Sequence, residues 1–135
     1  MSILVTDTGF APAADVGAVV PMADLAHHHG VLDLAATDDP ARLADILPDL
    51  HLIRVAFPSF SDGRGFTIAR RLREMGYGGR LRAFGHVLAD QYAMARRVGF
   101  DEVEISDELA ARQPADQWRA RADWQAHDYQ SRLRG

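Results

Sequence analysis

Residues 50–84 read LHLIRVAFPSFSDGRGFTIARRLREMGYGGRLRAF, and the order of signals inside this stretch decides the fold. The apolar run from Leu50 to Phe57 has strand character, and the glycine-bracketed loop Ser61-Asp62-Gly63-Arg64-Gly65 opens a helix to about Met75. That helix sets Ile68, Ala69, Leu72 and Met75 on one face against Arg70, Arg71, Arg73 and Glu74, and Gly76 ends it. A further strand follows from Arg80 to Phe84. Strand, helix and strand in so short a space predict parallel strands joined by a right-handed crossover.

The unit repeats on both sides. Upstream, Val31 to Ala35 reads as a strand, with Thr37 or Asp38 capping a helix through Pro40 to about Leu47. Downstream, Val87 to Val98 reads as a helix closed by Gly99, Val103-Glu104-Ile105 as a strand, and Ser106 or Asp107 as the start of a short helix. Pro114 then breaks the chain before a terminal helix that carries Trp118, Trp124 and Tyr129. The expectation is one α/β domain with an N-terminal arm (1–30), a β/α repeat core of about four parallel strands (31–112) and a C-terminal helix (114–134). The arm itself, with Ile3-Leu4-Val5 and Ala18-Val19-Val20, reads as a pair of short strands or as irregular chain.

Each core strand carries a charge within it: Asp33, Arg54, Arg82 and Glu104. A doubly wound sheet buries both faces and its strands are near-continuous apolar runs, so these charges favour a singly wound, half-barrel-like sheet with one apolar and one polar face. The polar face would be covered by the arm, the terminal helix or a second subunit. A flavodoxin-like doubly wound sheet is the alternative.

At 135 residues the chain supports one core, and no apolar run approaches the ~20 residues that cross a bilayer. The net charge of −4 provides no basic footprint for nucleic acid. There is no Cys, which excludes thiolate chemistry, disulfides and cysteine-held clusters, and no Lys, which excludes Schiff bases and a P-loop lysine. No metal site or resident cofactor is expected. The residues from Met1 to Asp7 lack the features of a signal peptide, so the expected compartment is the cytoplasm.

Loops at the carboxyl ends of parallel strands share one edge, where ligands bind. The candidate site there is the loop Ser61, Asp62, Gly63, Arg64 and Gly65, where backbone N–H groups and a guanidinium suit a small oxyanion; plain helix capping is the competing reading. His86 follows the next strand, one helical turn before Asp90, a carboxylate able to set its tautomer, and Gln91 adjoins it. His27-His28-His29 reads as a polar loop, because adjacent side chains diverge.

The runs F-P-S-F-S-D-G-R-G at 57–65, L-R-A-F-G at 81–85 and D-Q at 90–91 resemble the bacterial DUF934 family, densely over residues 50–107 and loosely in the flanks. The resemblance implies a link to assimilatory sulfite reduction, since members are described as probable oxidoreductases encoded beside sulfite reductase. No dinucleotide-binding glycine motif supports that word: Gly76, Gly78 and Gly79 follow a helix instead of opening one. The expected function is therefore an accessory protein of sulfate assimilation that binds a partner reductase, another sulfur-assimilation enzyme or a small oxyanion. A small oxidoreductase with a borrowed cofactor is the alternative. A homodimer is also expected, because Val87, Met94 and the terminal aromatics exceed what one small core needs.

Overall fold

The computed structural model describes residues 2–13 and 16–122. Its strands are β1 (Ser2–Thr6), β2 (Gly9–Pro12), β3 (Val20–Pro21), β4 (Val31–Leu34), β5 (Leu52–Phe57), β6 (Arg80–Gly85) and β7 (Glu102–Ser106). They form one open sheet in the order β2-β1-β7-β6-β5-β4-β3. β3 to β7 are parallel, and β1 runs antiparallel to both β2 and β7. The sheet is thus mixed and seven-stranded, where about four parallel strands were expected. The difference lies in the first thirty residues, which extend the sheet at both edges instead of covering its polar face. The four core strands do follow one another in chain order, without the reversal that a flavodoxin-like sheet requires.

Helices α1 (Arg64–Glu74), α2 (Tyr92–Val98), α3 (Asp107–Arg112) and α4 (Ala115–Arg119) bury their apolar positions in a single core. That core joins Ile68, Leu72, Tyr92, Leu109 and Trp118 to Leu32, Ile53, Val55, Leu81, Val103 and Ile105, all from one face of the sheet. Gly65 lets α1 lie directly on β5, since a Cβ there would sit 2.5 Å from the Phe57 ring.

Three expected helices are shorter or absent. In place of a helix over 39–47 the chain forms a 3-10 turn at Pro40–Leu43 and a second at Leu47–Asp49, which has Pro48 in its first turn. Asp39 caps the first through Ala41 N. The helix expected from Val87 begins at Tyr92, after a 3-10 turn at Ala89–Gln91. α4 ends at Arg119, and the expected helix beyond Ala122, with Trp124 and Tyr129, lies outside the described residues. Of the residues read as surplus to the core, Val87 and Trp118 are fully buried in it, while Met94 is 47% exposed.

The opposite face carries the charges. Asp33, Arg54, Arg82 and Glu102 are aligned across β4 to β7, with Arg80, Phe84 and Glu104 on the same side. Val31, Leu52 and Arg82 on this side are at most 2% exposed, yet none of them belongs to the helix-side core. Seven residue steps separate Ala13, still bonded to β1, from Val20 on the far edge, and reach at most ~25 Å. Six flat strand spacings in a sheet of this order need ~29 Å. That connection is too short for a flat sheet in this strand order.

Candidate functional site

On the charged face, the Arg54 guanidinium grips Asp33 through two bonds of 2.6 and 2.7 Å and reaches Glu104 at 3.2 Å. Phe84 lies beneath it, with the guanidinium carbon 4.6 Å from the ring centre. Arg82 links Glu102 at 2.6 Å to Glu104 at 2.8 Å, Arg80 adds a second bond to Glu102, and Ser2 donates to Glu104. Burial works against ionisation of Glu104, but bonds from Arg82 and Ser2 and the charge of Arg54 outweigh it and lower its pKa. Three carboxylates and three guanidinia here cancel, so this network is a structural brace across β4 to β7.

The carboxyl edge is organised differently. β6 leaves the sheet at Gly85, whose φ of +109° only glycine adopts readily. This turn brings His86 onto the Phe57 carbonyl twice, through its backbone N at 2.9 Å and its ring Nδ1 at 3.3 Å. The Phe60 ring meets the imidazole edge-on at 5.0 Å. The Gln91 side chain fixes Phe60 in turn, donating to its carbonyl at 3.0 Å and accepting from Leu88 N at 2.8 Å. An exposed histidine held by so many contacts is positioned rather than merely present. It lines a cleft of about 230 Å³ together with Phe60, Ser106, Glu108 and Arg112. Arg112 and Glu108 pair at 2.6 Å and both are largely exposed. Ser106 Oγ accepts from Leu109 N, which leaves its own hydrogen to donate.

Arg64 lies elsewhere. It lines a separate cleft of about 340 Å³ with Thr37, Asp38, Asp39 and Arg71, which shares no residue with the His86 cleft. Asp62 Oδ1 accepts from Arg64 backbone N, and the guanidinium closes on the same carboxylate at 2.6 Å. Those bonds hold the Asp62 carboxyl down at about 2. Gly63 precedes the first residue of α1, and Ser61 shares a hydroxyl contact with Ser59. Asp90 does not orient His86. Its carboxylate meets Arg121 at 2.6 Å, and the ring takes the Phe57 carbonyl instead.

The structure thus separates the two residues expected to meet, Arg64 and His86, and gives His86 a different neighbour, Arg112. Arg112 was missed because it lies 26 positions downstream, one helix beyond the next strand, and only the parallel order of β6 and β7 brings it alongside. No group of three metal-ligating side chains occurs among the described residues. No helix among them is long and apolar enough to cross a membrane.

No curated protein matches the sequence. The family model described as "Bacterial protein of unknown function (DUF934)" matches residues 31–135, from β4 onward and including both clefts of the carboxyl edge. The chain belongs to the DUF934 family.

Proposed function

We propose that this chain is an accessory protein of sulfate assimilation that serves sulfite reduction by holding a small oxyanion in the His86 cleft beside a partner reductase. The observation that supports it is the meeting of a positioned imidazole, a free hydroxyl hydrogen and the Arg112 guanidinium in one small cleft at the ligand-binding edge of the sheet. Arg112 is held by a single exposed ion pair, worth about 0–1 kcal/mol, so an anion displaces Glu108 at little cost. Arg64, by contrast, is engaged by Asp62 through side chain and backbone together. The pathway rests on what family resemblance implies. The exposed Phe60 and Met94 suit a protein partner, including a second copy of this chain.

Calorimetry with sulfite and sulfate tests the binding. Arg112→Ala should weaken it tenfold or more, the equivalent of a charge-assisted bond of about 1.5–3 kcal/mol, and Arg64→Ala should leave it nearly unchanged. The reverse ranking would move the site to the Arg64 cleft, and no binding at millimolar anion would end the oxyanion reading. Deletion of the gene should impair growth on sulfate and sulfite but not on sulfide; unchanged growth on all three would remove the pathway assignment.

A further inference from the structure

We infer that the His86 cleft takes up one proton with its anion, the imidazole serving as a proton-linked anchor. This deepens the preceding proposal and rests on its assignment of the cleft as an anion site. The argument starts from the ring. A carbonyl only accepts, so the Nδ1 facing Phe57 O carries the hydrogen, and in the neutral ring Nε2 presents a lone pair. The perpendicular Phe60 ring and the backbone bond to the same carbonyl hold the imidazole in place, and reversing the tautomer breaks the Nδ1 bond.

A lone pair repels an oxyanion. Only two states turn His86 into a favourable contact: an imidazolium donating from Nε2, or an oxyanion bearing a hydrogen that it donates to Nε2. Both bind one proton more than the free anion and neutral ring. The surrounding charges strengthen the requirement. From α3, Glu108 and Arg112 pair with each other, and Asp107 stands at its first turn. Outside the cleft, Asp90, from the 3-10 turn before α2, pairs with Arg121, and Asp62, from the loop after β5, pairs with Arg64. The anion takes the place of Glu108 on Arg112, and the proton on His86 adds a second positive charge beside it.

The test uses the full chain and sodium sulfate, which keeps both charges and binds no proton from about pH 5.5 to about pH 8.5, so that any proton taken up is carried by the protein. Titrations in buffers of different ionisation heat should show uptake approaching one proton per sulfate. Affinity should fall as pH rises across that range, approaching tenfold per pH unit at its alkaline end, and sulfate should shift the His86 ring resonances toward the imidazolium. His86→Gln, a change at an exposed side chain whose folding circular dichroism confirms, should bind sulfate weakly with a flat pH profile. A pH-independent wild-type affinity, or a slope that survives in His86→Gln, overturns the inference while leaving the anion site standing. Absence of both sulfate and sulfite binding at every pH overturns the two together.

Discussion

Arg82, only 2% exposed, is held by carboxylates from two positions of the neighbouring strand. Removing one member of a buried pair typically costs about 3–5 kcal/mol, because the remaining charge loses its compensation. Glu102 and Glu104 each retain a second arginine, so Arg82→Met should lose about 3 kcal/mol, the low end, in urea unfolding. Glu104 sets the acid side of the same network. Its folded pKa lies below its unfolded one, so its contribution is present above the unfolded carboxylate range and disappears as pH falls through the folded value. A cooperative loss of stability below about pH 4 is expected, and Glu104→Gln should flatten it. At Gly85, a Cβ would lie 2.7 Å from the Phe57 carbonyl oxygen at positive φ, so Gly85→Ala should cost of order 1–3 kcal/mol and displace His86, which anion calorimetry would register. The charges inside the strands were legible in the sequence because a period of two places Asp33, Arg54 and Arg82 among apolar neighbours. Glu102 was not, since it stands at the end of its strand and only pairing with Arg82 reveals its place.

Among the elements, the turn from α1 into β6 shows arginine serving as a fastener in a chain without lysine. Arg73 bonds the carbonyls of Tyr77, Gly79 and Gly99 and the Asp101 carboxylate, joining two helix ends and a strand start. Tyr77 closes the same turn by donating to the Arg80 carbonyl at 2.9 Å. Burial pushes the Tyr77 hydroxyl up to about 12 and raises Tyr92 as well. A raised folded pKa gives stability that is complete below the unfolded tyrosine value and lost as pH rises through the folded one. Stability should therefore decline from about pH 10 upward, and Tyr77→Phe should remove part of that slope while costing about 1 kcal/mol at neutral pH. The order of elements could be read from glycine stops and apolar spacing, but helix starts could not. Val87 and Leu88 fit a helical pattern, yet the His86 turn and the Gln91 bond to Leu88 N keep the chain non-helical until Tyr92.

For the whole molecule, the repeat revealed four consecutive parallel strands, and the antiparallel edge remained hidden. Ile3-Leu4-Val5 has strand composition, but nothing local to it indicates a partner a hundred residues away. The family match also begins only at residue 31, although β1 bonds β7 inside the same sheet. That pairing has a temporal consequence. The strand made first has to wait for the strand made nearly last, with the Ser2–Glu104 side-chain bond spanning 102 positions. Closing so long a loop is entropically expensive before its contacts repay the cost, whereas β5 and β6 meet through a single short crossover. In pulsed hydrogen exchange during refolding, amides of β5 and β6 should gain protection before those of β1. On the ribosome, the amino-terminal hairpin would emerge early and remain unpaired until β7 follows, leaving an open strand edge for most of the chain's synthesis.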